Sequence, residues 1–357
     1  MKILLFSKYG ELGASSRLRS YQFLPLLEKA GIHVERRLLF DDLYLNRRYD
    51  GSWLVVGPLI SAYFRRFRQV LSRGDHDAVW VEKELFPWLP QFMDTYVLPR
   101  SLPVVVDYDD AIFHKYDRHS NPLVRALLGK KIDGIMRRAS TVNVGNEYIA
   151  ARARAAGAKK IRVIPTSIDT SRYSVRTSVR SGSPFSIGWI GTPYTSRYLR
   201  EIAPALRALV NTGRVKIVLI GGPSDADLGF EFEALQWTEE TEIESLQTLD
   251  CGIMPLPDNP FERGKCGYKL LQYMGCGLPV VASPVGVNSQ IVHAGRNGFL
   301  ANTEEEWVES LLYLAANRES AASMGRSGRR LVEESYSSSR AASDLADVFH
   351  SLRCEKA

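Results

Sequence analysis

Cysteine is scarce in this sequence, with 4 among 357 residues. Cys251, Cys266, Cys276 and Cys354 all stand in the second half of the chain, and no two of them have the spacing of zinc ligands. A disulfide framework and a structural zinc site are therefore not expected. The cysteines are typical of a protein in a reducing compartment.

Long apolar runs are also missing. The longest nearly apolar stretch extends from Trp53 to Phe64, which is shorter than the roughly 20 residues that a membrane-spanning helix needs. The N-terminal sequence MKILLFSKYG has too short an apolar region for a secretory signal and fits a first β-strand better. We therefore expect a cytoplasmic protein, either free in solution or bound to the inner face of the plasma membrane.

Positive charge is concentrated in the first half of the chain. The formal net charge is +6, but residues 1–165 contain 27 Lys and Arg against 17 Asp and Glu. An excess of this kind either meets an anionic membrane surface or acceptor, or is an unevenly charged solvated surface. No nucleic-acid recognition motif accompanies it, so we expect no nucleic-acid partner.

Short apolar segments alternate with amphipathic helical segments along most of the chain. This alternation predicts an α/β protein built from βαβ units with parallel sheets. It stops between residues 165 and 184, where Ser, Thr, Arg and Pro dominate, and then starts again. Because 357 residues are too many for one hydrophobic core, we expect two doubly wound Rossmann-like domains. Their predicted bounds are 1–165 and 185–336, with a linker at 166–184 and a C-terminal helix at 337–357.

Hydrophobic periodicity also predicts where the individual elements lie. The predicted strands are Ile3–Phe6, Val34–Leu39, Ala78–Val81, Val104–Asp107, Thr141–Val144, Ile161–Ile164, Phe185–Ile190, Val215–Ile220, Cys251–Met254, Pro279–Ala282 and Gly298–Leu300. The predicted helices are Tyr21–Ala30, Leu123–Arg138, Glu147–Ala156, Arg197–Val210, Glu240–Leu249, Tyr268–Met274, Glu304–Ala316, Ala322–Glu333 and Ser338–Leu352. Ligands of doubly wound sheets bind beyond the carboxyl ends of the strands, so the loops that follow strands are the candidate sites.

The loop before the predicted helix Tyr268–Met274 has the composition of a phosphate site. It contains Lys265, Cys266 and Gly267, and the first turn of the helix holds Lys269. Free N–H groups and the positive end of a helix dipole favour a bound phosphate. A lysine at that end opposes the dipole unless it has an anion to bind. The alternative is a solvated loop with ordinary surface lysines.

A second candidate loop follows the predicted strand Phe185–Ile190 and begins with Gly191. Thr192, Thr195 and Ser196 suit donation to phosphate oxygens, or Thr195 or Ser196 simply caps the next helix. Arg197 adds a positive charge. Glu239 stands at the start of a later predicted helix. An acidic residue there satisfies the helix dipole with or without a ligand.

Two loops of the first half are candidates for an acceptor site. The first, GELGASSRLR, begins just after the first predicted strand, and its small residues and arginines suit the approach of an anionic group. They equally suit a tight turn with serine caps. The residues that we expect to take part are Gly13, Ser15, Ser16 and Arg17.

The second loop follows the predicted strand Val104–Asp107 and contains Asp109 and Asp110. Carboxylates at the end of a buried strand are unfavourable unless they are solvated, paired or functional. This pair suits acceptor hydroxyls, and an aspartate cluster is also a candidate for Mg²⁺. We favour the hydroxyls and expect no bound metal.

The segment Leu59–Arg73, LISAYFRRFRQVLSR, mixes aromatic residues with arginines. It predicts either an interfacial helix that docks on anionic lipid or an amphipathic helix with solvated arginines. The basic first half favours the membrane surface. The arginines concerned are Arg65, Arg66, Arg68 and Arg73.

Residues 255–286, PLPDNPFERGKCGYKLLQYMGCGLPVVASPVG, contain the most specific signal. The run from Gln272 to Val281 and the glycine at Gly267 resemble the donor-site signature of the family-four retaining glycosyltransferases, which have the two-domain B-type fold. That family has acidic residues at the positions of Gln272 and Gly264. A subset with a Gly-Lys-Cys-Gly-x-Lys loop and a glutamine resembles this sequence more closely. Whether Glu262 replaces the acid missing at Gly264 stays open.

The resemblance implies two domains that face each other across a cleft, with a UDP- or GDP-linked sugar bound there and the C-terminal helix packed back on the first domain. It implies transfer with retention to a glycan or lipid-linked acceptor in cell-surface polysaccharide biosynthesis, without a cofactor. The donor residues implied are Gly191, Thr192, Thr195, Arg197, Glu239, Lys265, Cys266, Gly267, Lys269 and Gln272. Glu262, Lys265 and Asp110 are the residues expected nearest the reaction, with Gly13, Ser15, Ser16, Arg17 and Asp109 on the acceptor side.

Two other functions stay open. One is a sugar-nucleotide epimerase of the same fold, which needs no acceptor. The other is an inactive membrane-associated scaffold, which the neutral Gly264 and Gln272 favour and the retained Lys265, Gly267 and Lys269 disfavour. A dinucleotide oxidoreductase is not expected, because no Gly-x-Gly-x-x-Gly follows a predicted strand.

Overall fold

The computed structural model describes residues 1–49, 56–72, 74–175, 184–223 and 227–354. The chain divides into two compact units. Unit 1 comprises Met1–Thr166 and Ser338–Ala357, and unit 2 comprises Ser167–Ser337.

Unit 1 contains a parallel sheet of six strands. They are β1 (Lys2–Ser7), β2 (His33–Leu38), β3 (Ala78–Glu82), β4 (Val104–Tyr108), β5 (Thr141–Val144) and β6 (Ile161–Val163). Their order in the sheet is β2-β1-β3-β4-β5-β6. Strands β3 and β4 are buried along their whole length, as expected for apolar runs in a parallel sheet with both faces covered.

Helices surround this sheet, and one segment that the sequence predicted as a single helix is divided into two. Residues 123–138 were expected to form one helix, but a turn at residues 129–130 divides it. The second part can then bury Ile132, Ile135 and Met136 on its own apolar face. The helices are Ala14–Arg19, Leu24–Lys29, Asp42–Tyr49, Val56–Leu71, Phe92–Thr95, His114–Asp117, Pro122–Leu128, Lys131–Arg138 and Glu147–Ala155, with a 3-10 helix at Tyr21–Phe23.

The C-terminal helix Ser338–Cys354 covers one face of the unit 1 sheet. Its apolar residues recur at helical spacing and join the core that contains Trp80. The Phe349 ring meets the Trp80 ring edge to face, with 5.4 Å between ring centroids. Burial of a phenylalanine side chain stabilises a fold by about 1.5–3 kcal/mol, so this helix is an integral part of unit 1.

Unit 2 contains a second parallel sheet of six strands. They are β7 (Phe185–Ile190), β8 (Val215–Ile220), β9 (Glu233–Leu235), β10 (Cys251–Met254), β11 (Val280–Ala282) and β12 (Gly298–Leu300). Their order is β12-β11-β10-β7-β8-β9. The sequence did not predict β9, which has only three residues and lies at the edge of the sheet.

The helices of unit 2 pack against both faces of its sheet, through two buried apolar clusters. The predicted helix Arg197–Val210 is wrong in its first half, which is a 3-10 helix. Pro204 lies at the start of the α-helix that follows, where its missing N–H does no harm, and it cannot sit in a helix interior. The helices are Ala203–Asn211, Glu242–Gln247, Tyr268–Gly275, Asn288–Ile291, Glu304–Ala316 and Arg318–Ser335, with 3-10 helices at Ser196–Ile202 and Glu262–Gly264.

The segment predicted as a linker is partly built into unit 2. Ile168 forms an isolated parallel bridge with Ser337, and the Tyr173 ring is buried in the same unit. These two apolar side chains stand among polar residues, and for that reason the composition of the segment predicted a linker. Residues 176–183 of the predicted linker lie outside the described residues.

Candidate functional site

The order of the strands in unit 2 defines where a ligand can bind. The chain passes from β7 to β8 and β9 on one side, and it continues with β10, β11 and β12 on the other side of β7. The loops after β7 and β10 therefore diverge and leave a crevice at the carboxyl end of the sheet, which is the usual ligand position in this architecture. The two candidate donor loops, at residues 191–197 and 255–267, are these two loops.

The loop after β10 is shaped by short-range hydrogen bonds. Asn259 accepts from the backbone N–H groups of Phe261 and Glu262 at 3.1 and 3.3 Å. Arg263 donates to both carboxylate oxygens of Asp258, at 2.5 and 2.9 Å. The loop therefore reaches Gly267 in a defined conformation.

Gly267 is the N-cap residue of the helix Tyr268–Gly275 and has a φ of +69°. No side chain caps this helix. The Leu270 and Leu271 N–H groups donate to the Gly267 carbonyl at 2.9 and 3.4 Å, so what the helix offers an anion is the positive end of its dipole. Gly267 is also tightly packed, because an added Cβ would lie 2.5 Å from Ile291 Cδ1.

Two lysines lie at this end of the helix. The Lys265 ammonium lies 5.4 Å from the Phe261 ring centroid, and its side chain is half-buried. The Lys269 ammonium donates to the Ile190 carbonyl at the end of β7 and lies 4.5 Å from the Trp189 ring centroid. Burial, and then the nearby charge of Lys265, lower the pKa of Lys269 to about 7.

Lys269 explains why residue 191 is a glycine. A Cβ at Gly191 would lie 2.5 Å from Lys269 Nζ and 2.4 Å from the Trp189 ring. The first residue after β7 must therefore lack a side chain for the lysine to cross to the strand. Lys269 thus connects the two loops of the crevice, a contact that the sequence did not predict.

A second connection between the loops involves Arg197. Its guanidinium stacks near the rings of Tyr194 and Tyr198, 4.4 and 5.2 Å from their centroids, and half of its side chain is exposed. The Tyr198 hydroxyl donates to Glu262 Oε1 at 2.5 Å, and Arg197 Nη2 lies 3.9 Å from the same oxygen. Glu262 is almost fully buried, so its carboxylate holds Tyr198 and Arg197 in position.

The remaining donor residues lie around these loops. The Thr195 hydroxyl donates to the Thr192 carbonyl at 3.1 Å and does not cap the following 3-10 helix. Cys266 is half-buried, and Gln272 is buried in the helix Tyr268–Gly275. Glu239 forms an exposed ion pair with Arg172 at 3.0 Å.

The crossing point of unit 1 lies between β1 and β3, because the chain passes from β1 to β2 on one side and to β3 on the other. Ser15 lies here, in the helix after β1, and donates to Asp109 Oδ2 at 2.8 Å. Lys83, just after β3, donates to Ser15 Oγ at 2.8 Å and forms an ion pair with Asp109 at 2.7 Å. Asp110 lies 4.0 Å from the Lys83 ammonium. The expected acceptor residues Ser15, Asp109 and Asp110 are thus brought together by a lysine.

Lys83 was missed at the sequence level. Its φ is +63°, a left-handed conformation that is uncommon for residues other than glycine, and such strain often marks functional sites. Burial alone would raise the pKa of Asp109, but Lys83 beside it lowers that pKa to about 2. The same two aspartates hold the pKa of Lys83 above its usual range despite burial. A lysine directly after a buried strand was the available signal.

The other residues of the first candidate loop have internal roles. Gly13 is the N-cap residue of the helix Ala14–Arg19, and Arg17 donates to the Glu11 carbonyl at 3.3 Å. Ser16 donates to Glu82 Oε2 at 2.6 Å. The expectation that Arg19 approaches an anionic ligand is wrong, because its guanidinium is buried against Asp107 at 2.8 and 3.1 Å.

The arginines of the helix Val56–Leu71 are not equivalent. Arg66 was expected on a lipid-facing or solvated face, but it is 1% exposed and donates to the Ser7 carbonyl. Burial lowers the pKa of Arg66 to about 9. Arg65 and Arg68 are exposed. Trp53 and Arg73, the outer ends of the apolar stretch and of the arginine-rich segment, lie outside the described residues.

The outward face of this helix is apolar as well as basic. The exposed side chains Ile60, Phe64, Phe67 and Leu71 recur at spacings of four, three and four residues. That spacing places them on one stripe of the helix. No helix in the described ranges combines the length and apolarity needed to cross a bilayer.

Solved structures with the same fold cover almost the whole chain. Sucrose-phosphate synthase (tll1590) from Thermosynechococcus elongatus is 15% identical, with a TM-score of 0.75, and the match covers 99% of this chain and 100% of that chain. Anabaena Alr3699/HepE, solved in complex with UDP, is 17% identical, with a TM-score of 0.68 and coverage of 98% and 100%. The lipopolysaccharide outer core galactosyltransferase WaaB, in its apo form, is 15% identical, with a TM-score of 0.67 and coverage of 98% and 99%.

The sequence itself gives one family match. Comparison with curated proteins gives no significant match. Residues 185–317, which include both loops of the unit 2 crevice, match the family described as glycosyl transferases group 1. The predicted fold class is confirmed: the chain has the two-domain glycosyltransferase B-type fold, and residues 185–317 of its second unit match the group 1 glycosyltransferase family.

Proposed function

We propose that this protein is a cytoplasmic retaining glycosyltransferase that transfers a sugar from a nucleoside-diphosphate sugar to a glycan or lipid-linked acceptor in cell-surface polysaccharide biosynthesis. The observation that carries the proposal is the uncapped helix Tyr268–Gly275, preceded by Lys265 and placed where the loops after β7 and β10 diverge. A helix N-terminus with convergent cations in such a crevice suits a diphosphate.

The donor is assigned to unit 2. The diphosphate binds at the positive end of the helix dipole beside Gly267, with Lys265 and Arg197 supplying positive charge. Lys269 holds the start of its helix against the end of β7 and adds positive charge when it is protonated. Gln272 suits the ribose hydroxyls, since an amide both donates and accepts, and Glu239 lies in the region expected near the base. HepE, whose structures include complexes with UDP and with UDP-glucose, supports testing UDP donors first.

The proposed reaction proceeds on one face of the sugar. The acceptor oxygen forms a bond with the anomeric carbon as the bond from that carbon to the diphosphate oxygen breaks, and the acceptor proton passes to the leaving diphosphate. The protein contributes positioning and stabilisation of the negative charge that grows on the diphosphate. Fixed cations and a helix dipole perform this role in unit 2, so we propose that no divalent metal is needed.

The acceptor is assigned to unit 1. Ser15, Asp109 and Asp110 present hydroxyl and carboxylate groups beside Lys83 at the crossing point of the sheet. Carboxylates accept hydrogen bonds from sugar hydroxyls. Lys83 keeps Asp109 ionised, because the ion pair lowers the carboxyl pKa to about 2. The negative charge of Asp109 therefore does not change over the physiological pH range.

A peripheral membrane position is part of the proposal. The stripe Ile60, Phe64, Phe67 and Leu71 is flanked by the exposed Arg65 and Arg68, a pattern that suits insertion among anionic headgroups. We expect the chain to sediment with phosphatidylglycerol vesicles and not with phosphatidylcholine vesicles. The variant Phe64→Ser/Phe67→Ser should lose this binding without loss of donor affinity. Equal binding of the variant to the anionic vesicles would remove the apolar stripe from the proposal, and failure of the wild type to sediment with them would remove the membrane.

The first test is the melting temperature with UDP, GDP and ADP, each with Mg²⁺ or with EDTA. A ligand of the folded state at 100 times its Kd adds about 2.7 kcal/mol of stability. For a unit of this size that corresponds to an upward shift of roughly 5–11 °C. We expect such a shift with UDP, independent of metal and lost in Lys265→Ala, whereas Lys216→Ala on β8 should keep it. No shift with any nucleotide would favour the scaffold.

Product analysis tests retention and separates the enzyme classes. Proton NMR of an α-linked UDP-sugar incubated with the protein shows the anomeric configuration of the released sugar before it mutarotates. An α-sugar supports retention, and a β-sugar contradicts it. Conversion of the donor to its epimer without UDP release would establish the epimerase instead.

A further inference from the structure

The loop after β3 is strained at both ends. Lys83 and Trp88 both have a φ of +63°, and they are the non-glycine residues with positive φ in the part of the chain that the structure describes. This conformation is unfavourable for a bulky side chain, and it persists only where the surroundings impose it. The first strained residue holds Asp109, and the role of the second is not explained by the proposed reaction.

A buried ionic network holds this loop. Lys131, whose side chain is fully buried, forms ion pairs with Glu84 at 2.7 Å and with Asp94 at 3.1 Å. Asp94 Oδ1 also accepts from the backbone N–H groups of Leu85 and Phe86 at 2.6 and 3.1 Å. Buried charges are expensive to maintain and contribute little net stability. A network of this kind is better explained by the conformation that it fixes.

The network extends to the backbone of Trp88. The Tyr116 hydroxyl donates to the Glu84 carboxylate at 2.9 Å and accepts from the Trp88 N–H at 3.1 Å. The Trp88 ring meets the Tyr116 and His119 rings edge to face, at centroid distances of 5.2 and 5.7 Å. Both the backbone and the ring of Trp88 are therefore fixed.

The fixed indole is nevertheless largely open to solvent. Trp88 is 53% exposed, although an indole can bury a large apolar area. It lies in the loop that follows β3, the same loop that begins with Lys83 beside Asp109. An oriented, exposed aromatic ring thus stands at the carboxyl end of the unit 1 sheet, where ligands of this architecture bind.

We propose that the Trp88 indole is the platform on which a sugar ring of the acceptor stacks, which makes the acceptor a glycan; this rests on the proposed function. A pyranose ring has an apolar face of C–H groups and a rim of hydroxyls. Its flat face needs a flat apolar surface of fixed orientation. His119, beside the Trp88 indole, can form a hydrogen bond with a hydroxyl at the rim of the sugar. Fluid acyl chains need exposed apolar area but no fixed ring orientation, so the strain and the buried network favour the sugar over lipid.

The binding test uses the full-length protein labelled with 5-fluorotryptophan and saturated with UDP. The chain has 6 tryptophans, and Trp88→Phe identifies the ¹⁹F signal of Trp88. The probes are methyl glycosides of glucose, galactose, mannose and N-acetylglucosamine, maltose, lactose, and vesicles of phosphatidylglycerol. A saturable shift of the Trp88 signal with a sugar, and none with vesicles, is expected. A shift with vesicles alone, or with none of the probes, would overturn the proposal.

The variant test separates binding from folding. Trp88→Gly keeps the backbone N–H that donates to the Tyr116 hydroxyl, and glycine adopts a positive φ without strain. We therefore expect a melting temperature no lower than that of the wild type. With the best sugar as acceptor, the KM for that sugar should rise at least tenfold in Trp88→Gly, while UDP release without acceptor stays unchanged. Phe92→Ala, another exposed aromatic of unit 1, should change neither. An unchanged KM in Trp88→Gly would refute the platform.

The two proposals fail separately. If the wild type neither binds UDP nor cleaves any donor, the proposed function falls, whereas the Trp88 signal still reports whether sugars bind. If donor cleavage and transfer occur with no response of Trp88, only the platform falls.

Discussion

Replacement of Gly267 by alanine should destabilise unit 2 through two separable effects. The left-handed backbone, with φ at +69°, costs a residue with a Cβ about 1–2 kcal/mol. The new methyl group would lie 2.5 Å from Ile291 Cδ1 and 3.2 Å from Val287 Cγ2, and overpacking of this kind costs about 1–3 kcal/mol. The expected loss is therefore about 2–5 kcal/mol before relaxation.

Gly295 provides the matched control for this substitution. Its φ is +74°, and an added Cβ would have no atom within 4 Å. Gly295→Ala therefore carries the backbone effect alone, and the smaller unfolded-state entropy of alanine cancels between the two variants. The difference between them should be about 1–3 kcal/mol.

The assay is thermal unfolding of the full-length chain, and the transition followed is the one whose midpoint UDP raises. At roughly 2–4 °C for each kcal/mol, Gly267→Ala should melt about 2–12 °C below Gly295→Ala. Its UDP affinity should also fall at least tenfold, because the start of the helix and the positive end of its dipole would move. Equal melting temperatures and equal UDP affinities in the two variants would show that the close packing under Gly267 does not matter.

Three further predictions concern single side chains. The pKa of Lys269 is about 7 in the folded protein and about 10.4 when unfolded, so the unfolded chain binds more protons between these values. The urea midpoint should therefore rise from pH 7 to pH 10, and Lys269→Met should make this rise smaller. Tyr198→Phe removes the donor to the buried Glu262 and should cost about 1–3 kcal/mol in urea unfolding, while Tyr194→Phe should have little effect. Lys83→Met should raise the pKa of Asp109 from about 2, so the pH profile of kcat/KM for the acceptor should gain an acidic limb, with UDP affinity unchanged in calorimetry.

Strands were predicted better than helices, for a physical reason. The bounds of β7, β8, β10 and β12 coincide with the prediction, because short apolar runs between turn residues are typical of strands buried on both faces. Helix ends depend on individual residues within a continuous pattern. Pro204 and the turn at residues 129–130 each divided a segment that periodicity alone joins.

The candidate site was predictable where its residues are neighbours in sequence. Lys265, Gly267 and Lys269 stand within one loop and one helical turn, so their shared chemistry was visible at once. The contacts that hold this loop are not local: Tyr198 meets Glu262 across 64 residues. Such pairs are determined by strand order, which a single sequence does not reveal.

Arg66 shows how a correct pattern can mislead. The helix Val56–Leu71 is amphipathic, as predicted, and arginine is ordinarily a surface residue. Its inner face nevertheless contains Arg66, whose guanidinium stacks 4.9 Å from the Phe6 ring and donates to the end of β1. The arginines of this segment look alike in composition, and only packing shows that Arg66 is buried.

The two units treat a lysine at the crossing point of their sheets in opposite ways. Lys83 in unit 1 is held charged by two aspartates, which keep its pKa above the usual range. Lys269 in unit 2 has a carbonyl and an indole ring as neighbours, and its pKa falls to about 7. A diphosphate arriving at unit 2 would supply the negative charge that Lys269 lacks, and its binding should therefore take up a proton above pH 7. Lys83 already has its counter-ions, so unit 1 is left with hydroxyl and carboxylate groups that suit a neutral acceptor. The same side chain thus suits the proposed anionic donor in unit 2 and the proposed acceptor hydroxyl in unit 1.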